Sequence, residues 1–251
     1  MSYLLPDLFT SKPMATPFIE ISDLQKHYQM GNNTVRALDG IDVSIEENSF
    51  TVVMGPSGSG KSTLLYLLGG LDRPTNGRII ISGQEINSLD ENALASYRRR
   101  TVGFIFQSFN LVPSFNALDN VTFPLRFAKI PPKRRSRQGM ELLSRVGLLD
   151  RAHHNPTELS GGQQQRVAIA RSLVNDPRII LADEPTGNLD TASGASIMRL
   201  LSELHQSGRT VMVVTHDQRM KSFASNVLYL LDGKIVSEAE YDAASILIAA
   251  I

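Results

Sequence analysis

The segment Gly55-Pro56-Ser57-Gly58-Ser59-Gly60-Lys61-Ser62-Thr63 follows an apolar run, Phe50-Thr51-Val52-Val53-Met54. A glycine-rich loop between a buried strand and a helix can turn consecutive backbone N–H groups inward on an anion. Gly55, Gly58 and Gly60, with Ser57 in the same curl, leave room for the chain to wrap around phosphate oxygens. Lys61 adds a mobile positive charge for the β and γ phosphates, and Ser62 offers a hydroxyl where Mg²⁺ would sit. Thr63 supports the phosphates from the first helical turn. The chemistry expected of these residues is binding of a nucleoside triphosphate; in isolation the segment also reads as an ordinary Gly/Ser turn.

Acids and amides close other apolar runs. Ile179-Ile180-Leu181-Ala182-Asp183-Glu184 ends in two carboxylates. In an open parallel sheet ligands gather beyond the carboxyl ends of the strands, where the glycine loop also lies. There Asp183 would hold Mg²⁺ through water, while Glu184 would orient an attacking water and take its proton late in the step. His216 follows Val211-Met212-Val213-Val214-Thr215, and a neutral imidazole there would donate to a γ-phosphate while receiving a hydrogen bond from the protein. Gln107 closes Val102-Gly103-Phe104-Ile105-Phe106, and its amide can accept toward Mg²⁺ and donate toward the nucleophile. Each also has a plain reading, as a solvated turn before Pro185, an exposed histidine and a surface glutamine.

The elements that must position these groups follow from the pattern. Strands are expected at 18–21, 37–45, 50–54, 77–83, 102–106, 178–182 and 210–214. The last two flank a helix at 192–205, a strand–helix–strand crossover that implies a sheet with helices on its faces. A helix starts at Lys61 and ends near Gly69-Gly70, and 227–231 with 234–236 reads as a closing hairpin around Asp232-Gly233. Residues 108–175 carry Pro113, Pro124, Pro131, Pro132 and Pro156, with helical patterns at 139–146 and 163–173, and read as a helical lobe inserted between strands of the main fold.

Composition narrows the classes. Among 251 residues, 25 basic side chains balance 25 acidic ones, so no global field recruits nucleic acid or an anionic membrane. No cysteine is present, which excludes disulfides and thiolate metal sites. Residues 1–17, with Pro6, Pro13 and Pro17, lack the basic start and apolar core of a signal peptide and are expected to form a loose extension. No run reaches the length of a membrane span. Arg98-Arg99-Arg100 and Lys133-Arg134-Arg135-Ser136-Arg137 read as solvated surface, and His27, His153 and His205 lack a convergent ligand set.

A second glycine patch, Leu159-Ser160-Gly161-Gly162-Gln163, precedes an apolar helix. Ser160 can cap it, and bare glycine N–H groups at its start would form a second anion site. With this patch the chain resembles the ATP-binding subunits of ATP-binding-cassette transporters over roughly residues 18–237. The resemblance makes 55–63 the Walker A loop, 179–184 the Walker B strand and 159–163 the family signature. Gln107 falls at the Q-loop, Asn188-Leu189-Asp190 at the D-loop, His216 at the switch histidine and Tyr28 at the aromatic that stacks on adenine. The implied fold is α/β, a P-loop triphosphatase fold of the ABC ATPase type with an N-terminal antiparallel β region and an inserted helical subdomain. Residues 238–251 would form a C-terminal tail.

The same resemblance implies ATP and Mg²⁺ as cofactors, and a second ATP-binding subunit as an ATP-dependent, head-to-tail partner. Ser160, Gly161, Gly162 and Gln163 of one copy would then contact the nucleotide held by Lys61 of the other, with Asp190 reporting across the interface. Integral membrane permease subunits would place the chain at the cytoplasmic face of the membrane, and nucleic acid is not expected. Residues 33–40, 103–113 and 182–190, together with His154, are similar to the subgroup serving lipoprotein release, macrolide export and cell-division complexes. An importer subunit and a soluble non-transport ATPase are the alternatives. Phe109, Leu111, Val112, Pro113 and Phe115 are expected either to meet a membrane partner's cytoplasmic helix or to pack within the helical lobe.

Overall fold

The computed structural model describes residues 17–249. The front extension, but for Pro17, and the last two residues of the tail lie outside the described residues. Two sheets form the frame. The first is antiparallel, in the order β2-β1-β4-β5, built from β1 (Ile19–Met30), β2 (Asn33–Ile45), β4 (Asn76–Ile81) and β5 (Gln84–Glu85). Its first hairpin turns at Gly31, which has a left-handed φ of 60°. Strands β1 and β2 are 12 and 13 residues long, well beyond the runs expected at 18–21 and 37–45. Their outer halves are half-buried to exposed, mixing polar residues with the exposed Tyr28, Met30 and Val35, so hydrophobic patterning alone does not reveal them.

The second sheet has the order β10-β9-β3-β8-β7-β6, with β3 (Phe50–Met54), β6 (Val102–Ile105), β7 (Ile179–Asp183), β8 (Thr210–Thr215), β9 (Asn226–Leu231) and β10 (Lys234–Val236). All its pairings are parallel except the terminal β9–β10 hairpin. Every residue of β3, β7 and β8 is buried, as continuous apolar strands covered on both faces must be.

Alternate residues of these strands enter separate cores. Phe50, Val52, Ile180, Ala182, Val211 and Val213 face a cluster built with α3 (Ala117–Phe127), α4 (Pro132–Arg145), α5 (Gly161–Leu173) and α6 (Thr191–Gln206). Val53, Ile179, Leu181, Met212 and Val214 face the antiparallel sheet, α1 (Lys61–Leu68) and α2 (Glu91–Thr101). The fold is thus the expected one, a P-loop ATPase architecture with an N-terminal antiparallel sheet and a helical segment inserted between β6 and β7. Helix α7 (Glu238–Ala249) follows β10.

Within the helical segment, Asn120 is 1% exposed and holds the preceding turn together. Its Oδ1 accepts from Val112 N at 2.8 Å, and its Nδ2 donates to the carbonyls of Val112, Phe115 and Asn116. Leu111 packs on the core and the Phe115 ring lies 5.5 Å from that of Phe123. Leu111 and Phe115 therefore pack within the lobe, while Pro113 is exposed. The basic runs are surface features, although Arg98 also donates to Gly70 O at 2.6 Å and ties α2 to the end of α1.

Candidate functional site

The register of the parallel sheet brings the chemistry to one edge. Met54 pairs with Thr215, and Asp183 pairs with Val214, so the loop from Gly55, the acids Asp183-Glu184 and Thr215-His216 leave adjacent strand ends together. This is the edge where an α/β sheet presents its ligand.

Gly55 and Gly60 are required by close approach. A Cβ on Gly55 would lie 2.4 Å from Leu230 O, and one on Gly60 would lie 2.2 Å from Ala37 O. Gly58 and Gly60 have φ of 83° and 102°, and Gly60 opens α1 without a side-chain cap. The first-turn N–H groups of α1 are therefore available to an anion. Lys61 is buried and bends back to donate to Gly55 O at 2.9 Å and Pro56 O at 2.8 Å. Burial pulls its pKa down, opposed by the carboxylates of Glu184 and Asp183. An ammonium that holds only carbonyl oxygens, at the mouth of a curled glycine loop, fits a triphosphate as its counter-ion.

Asp183 is buried and receives two hydroxyls, Ser62 Oγ at 2.9 Å and Tyr66 OH at 3.0 Å. Burial first, then the Asp183 charge and hydrogen bond, push the Tyr66 phenol up to about 12. Ser62 and Asp183 form an all-oxygen pair that suits Mg²⁺ completed by phosphate oxygens. Among the described residues no cluster of three or more His, Cys, Asp or Glu could hold a metal by itself.

Glu184 follows with φ 43°, a left-handed backbone that costs a non-glycine residue about 1–3 kcal/mol and breaks the alternation of the strand. The turn is secured by Glu184 N donating to Val214 O and Gly187 N donating to Glu184 O. Thr215 Oγ1 donates to Glu184 Oε2 at 2.8 Å, and His216 Nδ1 lies 3.0 Å from Oε1. An ionised carboxylate only accepts, so His216 Nδ1 is the donor of this pair. That reverses the expectation that the ring receives a hydrogen bond from the protein. To donate to a phosphate, His216 must release Glu184 or carry a second proton.

Gln107 is exposed, its carbonyl receives Asn188 Nδ2 at 3.0 Å, and its amide lies against Gly187. Beyond Ser108, Phe109 and Asn110 are both left-handed, with φ of 60° and 50°. Their carbonyls accept from Arg171, near the end of α5. The ring of Phe109 also lies near the start of that helix, where a Cβ added to Gly161 would meet Phe109 Cζ at 3.7 Å.

Ser160 caps α5 through a reciprocal pair: Gln163 N donates to Ser160 Oγ at 3.3 Å, and Ser160 N donates to Gln163 Oε1 at 2.9 Å. Asp190 caps α6 by accepting from Ser193 N at 2.9 Å, and the Ser193 hydrogen bonds hold its carboxyl below the usual range. These starts flank a cleft of about 270 Å³ lined by Ser160, Gly162, Gln163, Arg166, Ser193 and Ser196. Among the described residues no hydrogen bond joins Ser160, Gly161, Gly162, Gln163 or Asp190 to 55–63. Apart from Tyr28, the sequence-predicted residues thus fall into two groups, one at the sheet edge and one at the α5 and α6 starts.

Tyr28 lies on β1, 37% exposed, and donates to Asp72 Oδ2 at 2.9 Å. Tyr66, Asp72 and Thr215 are polar contacts of the site to which sequence reasoning gave no role. Only Thr215, at the end of an apolar strand and beside His216, carried a signal that could have found it.

Residues 38–187 match the family model described as ABC transporter. A macrolide export ATP-binding/permease protein of Hyphomonas neptunium is 51% identical over 226 residues, 90% of this chain and 35% of that protein. An uncharacterized ABC transporter ATP-binding protein of Thermotoga maritima is 50% identical over 86% of this chain and 93% of its own length. The chain spans about a third of the length of the macrolide export proteins it matches. The dimeric, post-hydrolysis structure of the ATP-binding cassette MJ0796 bound to ADP and Pi superposes with a TM-score of 0.82 at 44% identity, covering 87% of this chain and 97% of that one.

Proposed function

The chain belongs to the ABC transporter family as an ATP-binding chain, and from that premise we propose that it hydrolyses ATP to drive an export-type membrane complex. The observation that carries the chemistry is the fixed Glu184 carboxylate, held by Thr215 and His216 beside the Asp183–Ser62 pair. Lys61 and the N–H groups of 55–63 bind the phosphates, with Thr63 in the first turn. Ser62, Asp183 and Gln107 would hold Mg²⁺, which would neutralise charge on the triphosphate. Glu184 orients a water whose oxygen bonds to the γ-phosphorus as the bond to the leaving ADP oxygen breaks. The water's proton passes to Glu184 late in the step.

Two copies closing head to tail would set Ser160, Gly161, Gly162 and Gln163 of one against the phosphates of the other, with Asp190 at the joint. The separation of the two residue groups within one chain supports this reading, as does the likeness to dimeric cassettes. Integral permease subunits would receive the motion at the inner face of the membrane. Among the described residues no helix is long and apolar enough to cross a membrane. Likeness to macrolide export proteins supports export over import.

Phosphate release and light scattering test the proposal together. Glu184→Gln removes the base and keeps the cradle, so ATP should still bind and hold a dimer while turnover falls by about 10²–10⁴. Hydrolysis by E184Q at the parental rate would overturn the role of Glu184.

A further inference from the structure

Tyr28 is not a free-standing ring. Its hydroxyl donates to Asp72 Oδ2, and the ammonium of Lys26, two residues earlier on β1, lies 4.9 Å from the ring centroid. The same ammonium donates to Asp72 Oδ1 at 2.7 Å and to Arg73 O at 2.7 Å. One carboxylate therefore fixes the tip of the phenol and the cation that covers the ring.

The segment carrying Asp72 is itself anchored at both ends. Leu71 N donates to Tyr66 O on α1, the helix that begins at Lys61. On the other side, Thr75 N donates to Gln25 O at 2.8 Å, and His27 N donates to Thr75 Oγ1 at 2.9 Å. Residues 71–75 thus form a strut from the phosphate-loop helix to the strand that carries Tyr28. A planar base and a phosphate chain joined by a sugar have a limited span, so an aromatic platform works only if its distance from the phosphate cradle is fixed.

We propose that Asp72, with Lys26, is a positioning residue for nucleotide binding: it locks the Tyr28 ring so that its exposed face meets the base while α1 holds the phosphates. The inference rests on the ATP-binding reading above and adds to it a base-specific device outside the phosphate loop. Lys26 occupies one side of the ring by cation–π contact, which leaves the opposite side for stacking.

The test uses a ligand that lacks the base. Calorimetric titration of the full chain with MgATP and with magnesium tripolyphosphate separates base binding from phosphate binding. Stacking of a base on an aromatic side chain is worth about 5- to 150-fold in affinity. Asp72→Ala should weaken ATP by about fivefold or more and change tripolyphosphate by less than about twofold. Tyr28→Phe, which keeps the ring and loses the hydroxyl, should reproduce the ATP loss, and the double variant should lose no more than either single one. Asp72→Asn, which still accepts from the phenol, should recover part of the loss. An equal loss for both ligands would make Asp72 a plain support of α1, and unchanged ATP affinity would remove any role; either overturns the inference while leaving the ATP-binding reading intact. Failure of the parental chain to bind ATP would overturn that reading and this inference with it.

Discussion

Thr215 and Glu184 meet across the ends of two paired parallel strands, the threonine hydroxyl donating to Glu184 Oε2 at 2.8 Å while accepting from Asp217 N at 3.0 Å. Thr215 is fully buried, so its hydroxyl is a fixed donor and not a passing contact. It restrains the carboxylate from the protein side, independently of the exposed His216 ring.

Thr215→Val should lower kcat by about ten- to a hundredfold, because a hydrogen bond to a charged group is worth about 1.5–3 kcal/mol, while the KM for ATP stays within about twofold. Thr215→Ser, which keeps the hydroxyl, should recover most of the rate. Steady-state phosphate release checks both, and a T215V enzyme with parental kcat would show that Glu184 is positioned without it.

Lys61→Ala should fold normally and lose nucleotide. The ammonium holds two carbonyls of its own loop and no element of the core. Loss of a charge-assisted contact to phosphate should weaken ATP by at least about tenfold. Circular dichroism and calorimetric titration measure the two effects, and parental affinity in K61A would remove Lys61 from the site.

Two glycines of the same loop should respond differently to alanine. At Gly58 nothing lies within 4 Å of an added Cβ, so only its φ of 83° is penalised, by about 1–2 kcal/mol. At Gly60 the added Cβ also meets Ala37 O at 2.2 Å and Leu38 Cδ2 at 2.9 Å. Denaturant unfolding should place Gly60→Ala well below Gly58→Ala; equal midpoints would contradict the close approach of β2 to the loop.

Asn120→Ala should destabilise the helical segment by about 3 kcal/mol, since each buried backbone group left without a partner costs about 1–3 kcal/mol. Local hydrogen exchange at Val112 N should rise with it. A variant as stable as the parent would mean that the turn at 112–116 finds other partners.

The residues proposed to bind a triphosphate were legible because glycine, lysine and acid follow continuous apolar strands, and such strands have few alternatives to a doubly covered parallel sheet. Helices α2 and α3 were not. Helix α2 buries only Leu94 and Tyr97 among charged residues, and α3 contains Pro124, an interior position that reads as a break. Their caps were nevertheless written in the chain, as Asp90 accepts from Ala93 N and Asn116 accepts from Asp119 N. The roles of Tyr66 and Asp72 depend on partners distant in sequence, Asp183 and Tyr28, and no local spacing announces them.

Helix α5, 13 residues long, is tied near its far end by Arg171 to the carbonyls of Phe109 and Asn110, and the Phe109 ring lies near its start beside Gly161. A displacement of the strand-end glutamine that drags this segment therefore pulls on Arg171, and the Ser160 cap rides at the other end of the same helix.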